Sequence, residues 1–171
     1  MGDSYPDSTE QVGGRLQREI RQNRPFHSKG QEAFLGLLRT GDVVKHRFHE
    51  LFEAVGITFQ QYNVLRILRG AGLDGLPTLE IGDRMIERTP GVTRLLDRLE
   101  GKGLVRRERC PQDRRKVLCY ISPAGLALLA SLDTPVMEAD ELVFHGMDEA
   151  DLDTLIRILE RLRDQIEPSA D

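Results

Sequence analysis

Apolar residues recur along most of this chain at the three- and four-residue spacing of amphipathic helices. The longest stripe is Phe34, Leu37, Leu38, Val44, Phe48, Leu51, Phe52 and Val55, which predicts a helix over residues 31–55. Gly36 and Gly41 fall inside it at roughly 1 kcal/mol each relative to alanine, pointing to a close helix approach or a local bend. Gly56 ends it. Thr58 and Gln61 have the spacing of a capping box and open a helix to about Arg69, with Tyr62, Leu65 and Leu68 inward and Gly70 closing it. A Gly-rich loop, Ala71 to Pro77, precedes a short helix from Leu79 to Ile86 that Thr78 caps and that buries Ile81 and Met85.

Three residues later Thr89 reads as the cap, and Pro90 as the first residue, of a helix whose inner face is Val92, Leu95, Leu96 and Leu99. Its other faces carry Thr93, Arg94, Asp97 and Arg98, and Gly101 and Gly103 stop it. Two short runs follow, Leu104 to Cys110 and Lys116 to Ile121, joined by Pro111-Gln112-Asp113-Arg114-Arg115. A short helical pair, a tight stop and a basic-tipped hairpin form the pattern of a winged helix-turn-helix. Ser122-Pro123 then starts a helix carried by Leu126, Leu128, Leu129 and Leu132, which Pro135 is expected to kink or interrupt before it resumes from Val136 to Phe144. After Gly146 a last helix begins with acids at its positive end and bears a seam of Leu152, Leu155, Ile156, Leu159, Leu162 and Ile166.

The fold class read from this pattern is mainly α with a small β-hairpin wing: a winged helix-turn-helix plus long dimerisation helices. Residues 57–122 form the winged unit, and residues 31–56 and 123–167 the dimerisation helices. Residues 1–30 form an arm, polar and frayed to about Ser8, with a short helix from Gln11 to Gln22 built on Val12, Leu16 and Ile20. Long apolar-striped helices on both sides of so small a unit lack enough partners in a single chain. The economical arrangement interlocks them with their copies in a homodimer, placing two reading edges about one turn of DNA apart, ~34 Å.

Charge sharpens this picture. The chain has 24 Lys and Arg against 28 Asp and Glu, a net of −4. Yet residues 84–116 hold eleven bases and five acids, a local +6 against −10 for the remainder. A polarised molecule of this kind can bind a polyanion despite its total, because the field near the site decides. A solvated charged face is the alternative for the same residues. No apolar run approaches the ~20 residues of a membrane span, and the N-terminus lacks the layout of a signal peptide. With two cysteines and no disulfide framework, a soluble, reducing, cytoplasmic setting is expected.

With those residues in place, the chain resembles a MarR-family transcriptional regulator over about residues 31–167. The resemblance is densest in QYNVLRILRG (61–70) and TRLLDRLEGKGLVRRERCPQDRRKVLCYISPAGLALL (93–129). It implies a homodimer on a pseudo-palindromic operator of double-stranded DNA, usually as a repressor. It further implies a small lipophilic or phenolic effector, bound between the dimer helices and the winged unit, that releases the DNA. Carried over by position, the helix after Thr89 is the recognition helix, with Thr89, Gly91, Thr93, Arg94 and Arg98 as DNA contacts. Asp113 resembles the family's wing aspartate, which braces the loop by pairing with arginine. Arg115 matches the wing-tip residue that enters the minor groove, with Arg114 as the alternative. Arg107 and Arg109, on one face of their strand, complete the candidate DNA contacts. Asp97 carries the wrong charge for DNA and is expected to orient an arginine, either Arg94 or one from the wing.

Other chemistry is thinly represented. No phosphate-cradling glycine loop, HExxH, or Ser or Cys nucleophile with an evident base occurs, so no enzyme, catalytic residue or cofactor is expected. His46 and His49 lie three apart without a third or fourth metal ligand; solvated or ligand-pocket histidines are the simpler reading. Cys110 and Cys119 face each other if the hairpin turns near Arg114-Arg115, which would allow a thiol-redox regulator, although they miss the family's usual sensing positions. A winged-helix adaptor for proteins that has lost DNA binding is the remaining alternative.

Overall fold

The computed structural model describes residues 14–87, 91–110, 113 and 116–166. It contains α1 (Arg15–Glu19), α2 (Lys29–Glu53), α3 (Phe59–Ala71), β1 (Leu76–Pro77), α4 (Thr78–Asp83), α5 (Val92–Gly101), β2 (Val105–Arg109), β3 (Val117–Ile121), α6 (Pro123–Val143) and α7 (Glu149–Ile166). The chain divides into two units, Met1–His46 and Arg47–Asp171. In the first, α1 is a single turn and a half, shorter than the 11–22 expected, and residues 1–13 lie outside the described ones. Leu16 packs where Gly36 has no side chain, 3.7 Å from the position a Cβ would take, so this glycine does mark a close approach. Gly41 meets nothing within 4 Å.

The second unit is built around α3. Thr58 accepts from the Gln61 amide while Gln61 accepts from the Thr58 amide, the reciprocal cap expected. This start aims Tyr62, Leu65 and Leu68 into a core shared with Phe52, Ile81, Leu96, Leu99 and Leu129. The Phe52 and Tyr62 rings stack at 4.4 Å. The helix runs past Gly70 to Ala71 and ends at Gly72, whose φ of 62° suits a residue without Cβ.

Several local expectations are corrected. The loop before α4 contributes a strand: Leu76 pairs with Cys119 and Pro77 with Leu118, so the sheet has three antiparallel strands ordered β1-β3-β2. Pro77 therefore holds the cap position of α4, and Thr78 is its first helical residue with no capping bond. The α5 helix starts at Val92, with Gly91 at the cap, φ 111° and no side-chain bond. Thr89 and Pro90 lie outside the described residues. Helix α6 continues without interruption through Pro135. Pro135 gives up one helical donor and crowds the carbonyl of the preceding turn, but Leu132 and Ala139 on either side are both buried, so packing carries the helix across.

The hairpin register is also corrected. Arg107 stands opposite Cys119, while the Cys110 amide bonds to the Lys116 carbonyl. The turn is centred on Asp113, whose carbonyl accepts from the Lys116 amide, so the two cysteines do not face each other. A turn centred one to two residues earlier than expected shifts every cross-strand partner by three.

Candidate nucleic-acid interface

Helix α5 divides cleanly between core and solvent. Leu96 and Leu99 are buried and Val92 and Leu95 half-buried, while Thr93, Arg94, Asp97 and Arg98 are exposed. Val92 seats the helix against α4, with its Cγ2 3.5 Å from where a Gly82 Cβ would stand. Gly91 caps the helix start, exposed and with no side-chain capping bond among the described residues. Arg94 and Arg98 pair with no carboxylate among the described residues.

On the wing the arginines separate by face. Arg107 turns toward α5: its amide donates to Glu100 Oε1 at 3.1 Å and its Nε to Glu100 Oε2 at 2.9 Å. One terminal nitrogen reaches Glu100 at 2.5 Å and Asp97 at 2.7 Å. The expectation that Asp97 orients an arginine is thus met by Arg107 from the wing rather than by Arg94. These donors hold the Glu100 carboxyl below its ordinary range and raise the Arg107 guanidinium above its own. Arg106, on the opposite face, pairs with Glu108 and stacks on the Tyr120 ring at 4.1 Å. Tyr120 in turn occupies the space that a side chain on Gly75 would need. Arg109 is exposed and pairs with no carboxylate among the described residues. Arg114 and Arg115 lie outside the described residues; Asp113 is described and half-buried at the turn.

Glu100 is the functional residue that motif reading missed. Its signal was available: it lies three residues after Asp97, so both carboxylates share a helix face and meet one strand arginine. At the wing base, Ser122 caps α6 by accepting from the Gly125 amide at 3.0 Å and donates to the Gly103 carbonyl at 2.6 Å. Gly125 is needed there, since a Cβ would collide with the Leu104 carbonyl. The Cys119 thiol is fully buried beside Thr78, and burial raises its pKa. His49 lies 3.5 Å from Glu53.

A helix-turn-helix with a braced three-stranded wing defines a winged-helix protein, and relatives agree. The sequence model described as MarR family matches residues 57–117. A MarR transcription factor from Planctomyces limnophilus is 42% identical, the alignment covering 79% of this chain and 98% of that one, with a TM-score of 0.62. The chain belongs to the MarR family and is a transcriptional regulator of that family. A protein of Thauera aromatica described as a transcriptional regulatory protein for the hcr operon is 28% identical over 127 residues, 73% of this chain and 75% of that protein. The backbone also matches BpsR of Bordetella bronchiseptica at 24% identity, covering 86% of this chain and all of that one, with a TM-score of 0.71. The BpsR structure concerns regulation of that protein's DNA binding by 6-hydroxynicotinic acid.

Proposed function

We propose that this protein is a homodimeric, ligand-responsive repressor that binds a pseudo-palindromic operator through α5 and the wing. The observation carrying this reading is the outer face of α5, where Thr93, Arg94 and Arg98 are exposed and neither arginine is neutralised within the described residues. Arginine offers a donor fork to guanine edges or to phosphate. Arg109 extends the same positive edge along the wing. Arg107 acts differently from its first assignment: held by Asp97 and Glu100, it fixes the wing to α5. Arg114 and Arg115 are proposed at the tip, by likeness to the family's minor-groove residues, and Asp113 as the brace of the loop.

Support for the dimer comes from apolar surface. Helix α7 has no buried residue, and Ile156, Leu162 and Ile166 are 53%, 38% and 70% exposed. On α2, Phe34, Leu37, Leu38 and Val43 are all exposed. The relative regulated by a small aromatic acid supports effector control here, and a small lipophilic or phenolic effector is the partner proposed.

Measuring duplex affinity against salt tests this reading. DNA binding through these arginines predicts a steep linear fall of log affinity with log salt, as counterions are released. A flat dependence without sequence preference would favour the protein-adaptor reading instead.

A further inference from the structure

Asn63 is a polar side chain set among buried apolar ones. It is 5% exposed on α3, with Tyr62 and Val64 buried on either side, and its Oδ1 accepts the Ile86 amide at 2.9 Å. Burying a side-chain amide costs stability unless the group is hydrogen-bonded. Leucine has nearly the same shape and would enter the core without that cost, so the bond to Ile86 is what asparagine adds. Packing alone holds Ile86 weakly, because its side chain is 67% exposed.

The next residue is held from the same helix. Gln60, three residues before Asn63 and therefore on the same face of α3, donates through Nε2 to Glu87 Oε2 at 3.1 Å. Two consecutive residues of the chain leaving α4 for α5 are thus fixed, one by its backbone and one by its side chain. The far end of α5 is tied too: Glu100 bonds Arg107, and Lys102 donates to the Gly56 carbonyl. Between these ends, Leu96 and Leu99 rest in the core through apolar contacts, which carry no direction of their own. The directional bonds at the two ends therefore set where on that core the helix sits.

We propose that Asn63 is a positioning residue for operator recognition, seating α5 through the Ile86 amide without touching DNA itself. This role rests on the DNA-binding reading and specifies which property of binding the residue controls. Non-specific association draws on positive charge, which a small displacement of α5 leaves intact. Base readout asks an arginine fork to meet one base edge within hydrogen-bond distance, and the same displacement breaks it. Loss of the Asn63 acceptor accordingly lowers the preference between duplexes, not the affinity for DNA in general.

Two substitutions of equal shape separate the acceptor from the packing: Asn63→Leu removes it and Asn63→Asp retains it. Affinity is measured for a duplex selected by the parent from a random pool, and for a scrambled duplex of the same composition. Asn63→Leu should weaken the first about tenfold or more, the worth of a lost base contact, and the second by less than about twofold. Asn63→Asp should recover most of the preference. Amide exchange without DNA reads the bond itself: Ile86 should exchange about tenfold faster or more in Asn63→Leu, and near the parent rate in Asn63→Asp. Asn63→Ala carries the same expectations where the leucine variant does not fold. An unchanged preference, equal losses on both duplexes as a folding defect would give, or an aspartate variant that protects Ile86 yet stays unselective would each overturn the role. A parent that binds no duplex, or binds all alike, loses the DNA-binding reading and this role with it. A parent that binds selectively, beside a leucine variant that does the same, loses the role alone.

Discussion

Arg107 on the first wing strand and Glu100 at the end of α5 are joined by three hydrogen bonds onto a single carboxylate, at 3.1, 2.9 and 2.5 Å. One of the three comes from the backbone, so the clasp fixes the strand itself and not merely a side chain. On the proposed DNA-binding reading, α5 and the hairpin must keep their spacing, and this pair ties the one to the other.

Glu100→Gln should therefore lower stability by about 1 kcal/mol at neutral pH, a value discounted for the partial exposure of both groups. The dependence on pH has a definite sign. A carboxylate held low in the folded state contributes stability above its unfolded pKa, and that contribution disappears as pH falls through the lowered folded value. Denaturant midpoints of the two proteins should converge in acid. A gap that stays constant from neutral pH downward would remove Glu100 from this role.

Arg98→Ala should weaken duplex binding by ~1–3 kcal/mol, with Arg94→Ala similar, and thermal stability should hardly change, since neither guanidinium pairs with a described carboxylate. If the lost contact is to phosphate, the salt slope falls by about one; if to a base, sequence preference relaxes instead. Titrations on matched and mismatched duplexes distinguish the two. Wild-type affinity in both variants would take α5 out of the interface.

In the proposed dimer, Leu159→Asp should split the subunits or unfold them. Leu159 lies on the α7 seam with Leu152, Leu155, Ile156, Leu162 and Ile166, and a carboxylate buried there without a partner costs several kcal/mol. Sedimentation that matches the parent would place the subunit contact elsewhere.

Oxidation should leave Cys110 and Cys119 unlinked. The register sets Cys119 against Arg107, and its buried thiol is held in the protonated, unreactive form. Mass spectrometry after mild oxidation of the folded protein reads this directly; an intramolecular disulfide would restore the thiol-switch alternative.

Gly125→Ala should destabilise the winged unit by about 1–3 kcal/mol, because the new methyl would meet the Leu104 carbonyl and the Ile121 side chain. An unchanged thermal midpoint would show that the α6 start can move away from the wing.

What the sequence determined alone was whatever depends on neighbours within a few residues. The reciprocal cap of Thr58 and Gln61, the Ser122-Pro123 start, the inward leucines of α5 and its exposed Thr93, Arg94, Asp97 and Arg98 all follow from local periodicity and capping chemistry. The tertiary structure decided matters that turn on which distant residues meet. Leu76 and Pro77 form a strand only because β3 offers a free edge, and two residues without that partner read as loop. The cysteines separate because the turn centres on Asp113, and a hairpin's register depends on its turn geometry and on which face is buried. Arg107 and Arg109 look alike in the sequence, but Glu100 and Asp97 engage the first and leave the second to solvent. Asn63, an ordinary polar residue within a helical stripe, becomes a buried acceptor for the Ile86 amide only once the chain after α4 folds back onto α3.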